Sequence, residues 1–177
     1  MIDFEWDIPP KGHDHNRKDL FESVAWASEN LERVLPQYSI VWENPKGGPV
    51  AITTPSPEWL AMAIHGGLLP DIEVHHRLRA EWTNDAGEVI QTRANETPGP
   101  GWKGGKIVNG WLLHAGPRAP AMTQEEAIEY ILQKDVPLLV WYDHETSNRR
   151  RFVICKKDQI PTNRKLRNAW SLIQPGA

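Results

Sequence analysis

Apolar residues recur at spacings of three and four through Leu20, Val24, Ala27, Leu31 and Val34. That is the period of one helix face, so a helix is predicted over residues 17–35, with Glu22, Glu29 and Glu32 off the stripe and Pro36 ending it. Tyr38–Glu43 and Val50–Thr54 are β-type runs on either side of Asn44-Pro45-Lys46-Gly47-Gly48-Pro49. The residues between them permit positive φ or fix it, so 38–54 reads as a hairpin with a loop longer than two residues. Ser56-Pro57-Glu58 opens a short helix: a serine hydroxyl can accept a first-turn N–H, and proline suits the first helical position. Trp59, Met62 and Ala63 form its apolar side and Gly66 supplies the stop. From residue 72 the period changes to two. Ile72, Val74, His76, Leu78, Ala80 and Trp82 alternate with Glu73, His75, Arg77, Arg79 and Glu81, which predicts a strand with one buried face. Asn84-Asp85-Ala86-Gly87 turns it, and Glu88 to Arg93 returns, giving a hairpin over 72–93.

Residues 94–105 are rich in Gly and Pro and read as a loop. Asn109-Gly110 between Lys106-Ile107-Val108 and Trp111-Leu112-Leu113 is the strongest turn signal in the chain, because a type I′ turn needs positive φ at both central residues. It predicts a hairpin over 106–114. A second Pro-rich stretch, 115–121, is the candidate boundary between an N-terminal α+β region, 1–116, and a C-terminal module, 122–172. In that module Thr123-Gln124-Glu125-Glu126 has the form of a capping box. It opens a helix running to about Lys134, with Ala127, Ile128, Ile131 and Leu132 on its apolar face. Leu138–Tyr142 and Arg151–Cys155 read as two strands around HETSNRR, and Asp158–Trp170 turns at Pro161 into a short helix carrying Leu166 and Trp170. The expected class is α+β: antiparallel hairpins with short helices, and a helix–hairpin–helix at the C-terminal end. No long internal repeat is visible.

Composition narrows the function classes. Of 177 residues, 40% are hydrophobic and 24% charged, enough to bury a core. A net charge of −3 argues against a general polyanion binder, so no nucleic-acid partner is expected. The basic groups at Arg149-Arg150-Arg151, Lys156-Lys157 and Arg164-Lys165 read as a solvated face, without the aromatic interleaving of a single-strand binding platform. No apolar run approaches the roughly 20 residues that span a bilayer, and the first ten residues, acidic and broken by two prolines, do not read as a signal peptide. Nine tryptophans against three Phe and three Tyr form the oddest feature. Trp combines large apolar area with one N–H to satisfy, and so favours cores and interfaces. Most are scattered as in a core. Trp6, Trp82, Trp102 and Trp111, close to turns or on hairpins, are the interface candidates.

Catalytic and metal chemistry find little support. His13 and His15 bracket Asp14. His75 and His76, adjacent on a strand, would point to opposite faces and not converge on one ion. There is no H-E-x-x-H and no C-x-x-C. Cys155 cannot form an internal disulfide, being the single cysteine, and in the run FVIC it reads as a packed thiol. Gly47-Gly48, Gly66-Gly67 and Gly104-Gly105 fit neither a Walker loop nor a dinucleotide fingerprint. An enzyme would need His13, His15, His75 or His76 to meet a carboxylate such as Glu73 in a pocket. The chain is therefore expected not to be an enzyme and to hold no cofactor and no metal. Residues 2–7, in which Ile2, Phe4 and Trp6 alternate with Asp3, Glu5 and Asp7, can form an edge strand or add to a partner's sheet.

Two segments carry a family resemblance. YSIVWENPKGGPVAITTPSPEW, Tyr38–Trp59, resembles a module of phage proteins with a strand, a Gly-Gly turn, a second strand and a Pro-x-Pro-Glu stop. Thr123–Trp170 resembles the module that follows it there, through Glu126-Ala127-Ile128, Lys134-Asp135-Val136-Pro137, Asp158-Gln159-Ile160-Pro161 and Arg164-x-x-Arg167-Asn168-Ala169-Trp170. The second and fourth of these pieces are the most specific. The group is an uncharacterised bacteriophage and prophage family encoded with tail genes, often near tail fibres, and it brings no catalytic residues to carry over. This chain departs from its pattern in the long 138–155 hairpin, in Asn163 where Asp is common, and in residues 60–121 between the modules. The resemblance implies a tail or tail-fibre-associated structural or assembly protein, residing in the host cytoplasm and then in the virion. Its partners would be other virion or assembly proteins. The alternative is an accessory protein that binds and inhibits a host defence factor.

Overall fold

The computed structural model describes residues 18–108, 116–142 and 151–163, together with Lys165, Trp170 and Leu172. The class is mixed α+β, with two three-stranded antiparallel sheets. In chain order the elements are α1 (Lys18–Asn30), β1 (Tyr38–Trp42), β2 (Ala51–Thr53), α2 (Pro57–His65), α3 (Ile72–Arg77), β3 (Arg79–Asn84), β4 (Val89–Arg93), β5 (Trp102–Ile107), α4 (Gln124–Asp135), α5 (Leu138–Trp141) and β6 (Phe152–Lys156), followed by a 3-10 turn at Lys157–Gln159. The first sheet has the order β2-β1-β6 and the second β4-β3-β5.

Local signals set the helix ends. The Ser56 hydroxyl accepts the Trp59 N–H at 3.1 Å, Pro57 takes the first turn of α2, and Gly66 closes it at φ +81°. In α4 the capping box is reciprocal: Thr123 Oγ1 accepts the Glu126 N–H at 3.2 Å, and the Thr123 N–H donates to Glu126 Oε2 at 2.8 Å. The first turn of α4 also holds the chain entering β1. Gln124 accepts the Gln37 N–H at 2.9 Å and Glu125 accepts the Tyr38 hydroxyl at 2.8 Å.

The core forms on both sides of α4. Ala127 and Tyr130 join Ala27, Leu60, Met62 and Leu69 in one cluster. Ile128, Ile131 and Leu132 join Ile40, Val136 and Val140 in the other, against the first sheet. Trp59 packs on both clusters, with its ring 5.6 Å from that of Tyr130. Tyr130 was not expected in the core. Its ring is buried and its hydroxyl donates to the Pro70 carbonyl at 2.6 Å.

Five expectations change. Helix α1 ends at Asn30 and not near residue 35, and beyond it the Val34 N–H bonds the Pro57 carbonyl at 3.2 Å in place of a helical partner. Residues 72–77 form helix α3 and not the start of a strand, because Asp71 accepts the Glu73 N–H at 2.9 Å and caps a turn there. Val74 and Leu78 are buried in either geometry, being two steps of an alternation and also i, i+4 on a helix. The hairpin is therefore shorter, with Arg79–Asn84 against Val89–Arg93. The Gly-rich loop 94–105 ends in a third strand: Trp102–Ile107 pairs with β3, so Lys106 and Ile107 belong to that sheet and not to a hairpin over 106–114, of which residues 109–114 lie outside the described residues. Leu138–Trp141 is a one-turn helix after Pro137, with the Tyr142 N–H on the Leu138 carbonyl at 2.8 Å. β6 pairs instead with β1, from Tyr38↔Lys156 to Trp42↔Phe152. The expected hairpin 138–155 does not form, and with it goes the helix–hairpin–helix. The final short helix lies mostly outside the described residues.

The Pro-rich stretch placed at the boundary is stitched into the core. Ala119 is buried, donates to the Leu69 carbonyl at 2.8 Å and accepts the Gly67 N–H at 2.8 Å, while the Met122 N–H reaches the Ala63 carbonyl at 3.0 Å. Gly66 makes this possible. Its backbone, at φ +81° and ψ 157°, lies in a region reserved for glycine, and a Cβ there would overlap the Ala121 backbone. Gly67, also at positive φ, faces open space. Gly66→Ala is expected to lower the unfolding free energy by about 3 kcal/mol and Gly67→Ala by only about 1 kcal/mol. Urea denaturation of the two variants checks this, and equal losses would refute the overlap.

Candidate functional site

Of the four tryptophans chosen from sequence, Trp6 and Trp111 lie outside the described residues. The other two come together on the second sheet. Along β3, Ala80, Trp82 and Asn84 share one face; the register sets Ile90 and Gly104 beside Trp82, and Trp102 beside Asn84. Trp82, Ile90 and Trp102 are each half-buried. A bulge shapes this face. Glu81 pairs with Lys106 and Trp82 with Gly104, leaving Gly105 as the extra residue. Gly105 has φ +74°, and a Cβ on it would come within 2.8 Å of the Trp82 ring. The Trp82 indole thus packs against a backbone position that only glycine permits. Its Nε1 donates to the Thr92 hydroxyl at 3.0 Å, which fixes the ring plane.

A cleft of about 540 Å³ opens beside this sheet. Trp59, Met62, Leu69 and Ile107 give it apolar walls, and His75, Arg93, Asn95, Lys134 and Asp135 supply polar groups. Lys134 and Asp135 pair with each other at 2.6 Å. Asn95 is held by donating to the Val136 carbonyl at 2.9 Å, an acceptor it shares with the Trp141 indole N–H at 3.0 Å.

The two histidines follow the correction to a helix. About 100° apart around α3, they make different contacts. The His75 ring meets the Tyr130 ring edge-on at 5.6 Å. His76 stacks on Trp141, with centroids 6.1 Å apart and planes 21° apart, and the Arg93 guanidinium carbon lies 5.9 Å from the centroid of the same indole. His76 Nε2 is buried with no hydrogen-bond partner among the described residues, and Nδ1 is 3.9 Å from Glu73 Oε1, too long for a hydrogen bond. Burial, then the Arg93 charge, hold this imidazole below the ordinary histidine value of 6.5, against the weaker pull of Glu73 and Asp71. Among the described residues no group of three or more His, Cys, Asp and Glu could hold a metal ion, and His13 and His15 lie outside them. Cys155 is half-buried on β6, its Sγ 3.9 Å from the Ser39 carbonyl, and burial pushes the thiol up.

No protein-family model, curated protein or solved structure matches this chain.

The sequence reading missed Trp26, which is 43% exposed and meets His65 edge-on at 5.3 Å; its position off the Val24–Ala27–Leu31 stripe was the available signal. It also missed Arg93 and the apolar walls of the cleft, which assemble from segments far apart in the chain. Among the described residues no helix is long and apolar enough to cross a membrane.

The state of His76 sets a pH dependence. The unfolded chain takes up its proton near 6.5, whereas the folded chain resists it. Stability from this group is present above that value and is lost as pH falls through it towards the lower folded value, where the loss levels off. His76→Gln is expected to flatten this part of the stability–pH profile between about pH 7 and pH 5. Denaturant titrations of both proteins across that window measure it, and parallel profiles would show that His76 contributes nothing.

Proposed function

We propose that this chain is a bacteriophage tail- or tail-fibre-associated structural or assembly protein, working by contact and not by chemistry. The phage assignment is supported by the two segments whose motifs resemble that family. The mode of action is supported by one observation above the others: Trp82, Ile90 and Trp102 share a half-buried face of a small sheet, with Trp82 locked by Gly105 and Thr92. A rigid indole loses little entropy on docking, and tryptophan is enriched among residues that dominate binding energy. Val89 on the outer strand β4 is 55% exposed, and among the described residues no further strand pairs with β4 or β5 on their outer sides. A partner segment can therefore add to an edge while its apolar side chains meet the tryptophans. On this reading the partners are other virion or assembly proteins, met first in the host cytoplasm and then carried into the particle.

Quantitative mass spectrometry of purified virions tests the assignment. The protein is expected in fixed ratio to a tail protein, or, for an assembly factor, absent from mature particles but bound to tail intermediates. Trp102→Ala, which removes docking area without disturbing the Trp82–Gly105 contact, is expected to cut incorporation or intermediate binding about tenfold or more at unchanged thermal stability. Absence from both virions and intermediates would sink the proposal and favour a host-directed inhibitor.

A further inference from the structure

The cleft of about 540 Å³ is of a size used for small molecules, and its charges do not cancel. Lys134 is neutralised by Asp135 at 2.6 Å. Among the described residues no carboxylate makes an ion pair with Arg93, Glu73 and Glu96 act on it only from beyond such contact, and its guanidinium carbon lies 5.9 Å from the Trp141 ring centroid. Its surroundings take it partly out of water, and a guanidinium does not give up its proton to compensate. Nearby Arg79 is engaged, donating to the His76 and Leu78 carbonyls at 2.9 and 3.1 Å.

We propose that this cleft binds one small organic anion, an apolar body ending in a single carboxylate, with the body against Trp59, Leu69 and Ile107 and the carboxylate at Arg93. Among the described residues lining the cleft, Arg93 is the positive charge left after Lys134 and Asp135 pair, which a monoanion matches, and a carboxylate matches the flat, two-pronged guanidinium. A dianionic phosphate fits less well. The last turn of α4, at Gln133–Asp135, lines the cleft and brings the negative end of a helix dipole towards it. This site adjoins the Trp82–Trp102 face, since Ile107 pairs with Ala80 on the same side of β3, but neither tryptophan lines it, and its existence does not depend on the docking reading.

Isothermal titration of the full chain with octanoate, and separately with octanamide, tests it. Octanoate is expected to bind one per chain, and octanamide, of the same length without the charge, about tenfold more weakly or worse. Arg93→Gln should erase the preference, Arg93→Lys should keep it in reduced form, and Trp102→Ala should leave it intact; thermal unfolding verifies that each variant folds. If Arg93→Gln does not fold, Ala94→Phe, which fills the cleft from its wall, takes its place and should abolish octanoate binding. The proposal is overturned if octanoate does not saturate one site, if the amide binds as well, or if a folded Arg93→Gln or Ala94→Phe binds octanoate as the parent does.

Discussion

Burial of α4 on two adjoining flanks is the constraint that the rest of the molecule obeys. Ile128, Ile131 and Leu132 press against the first sheet, and Ala127 and Tyr130 against α1 and α2. Each large aliphatic so buried is worth about 1.5–3 kcal/mol, and no other described helix places fully buried residues in both clusters. The buried residues of α4, Ala127, Ile128, Tyr130, Ile131 and Leu132, make an arc wide enough to serve two clusters, while Glu125, Glu126 and Glu129 keep the remaining side in water. The helix sets the first sheet and α5 on one flank and α1 and α2 on the other, with Trp59 packed on both clusters. The polar ends of α4 are then used as fixtures. Its first turn holds Gln37 and Tyr38 at the start of β1. Its last carbonyls lead to Val136, whose oxygen takes both Asn95 and Trp141.

That shared acceptor explains how a cleft with charged groups stays open beside a packed core. Asn95 ties the exit from β4 to the end of α4, and Trp141 is held against the same oxygen, so the segment carrying Arg93 is fixed at a distance from Gln133–Asp135. Tyr130 adds a strut from the other direction through the Pro70 carbonyl. A buried phenol donating to a buried carbonyl satisfies two groups that would each cost about 1–3 kcal/mol if left alone. It also fixes the approach to α3, which carries His75 and His76.

Sequence legibility tracked locality. Ser56-Pro57, Thr123 with Glu126, and the Gly-Gly turn between β1 and β2 were readable because the atoms that decide them lie within four residues. Residues 72–78 were misread because Val74 and Leu78 satisfy period two and period 3.6 alike, and the deciding bond is one Asp71 side-chain contact. β5 was hidden by its own glycines, since Gly104 and Gly105 look like loop residues yet form a bulge under Trp82. β6 was recognisable as a strand, but its partner, more than a hundred residues away, was not, because hydrophobic patterning sets the face of a strand and not its neighbour. Trp82 and Trp102 could be picked out one by one, but their shared face depended on a strand that composition concealed.

The bulge at Gly105, which the glycines conceal in the sequence, also shapes the Trp82–Trp102 face. Without the extra residue, β3 and β5 would stay in even register, and a side chain at 105 would press against the indole from beneath. With it, the backbone of β5 becomes a flat support and the Thr92 hydroxyl stops rotation in the ring plane. Trp82 therefore packs on this support with one edge bonded, while Trp102, at the far end of β5, lacks such a backing glycine. The two indoles consequently have different roles on one face: Trp82 is part of the scaffold, and Trp102 is the one whose removal alters a contact surface without altering the sheet that presents it.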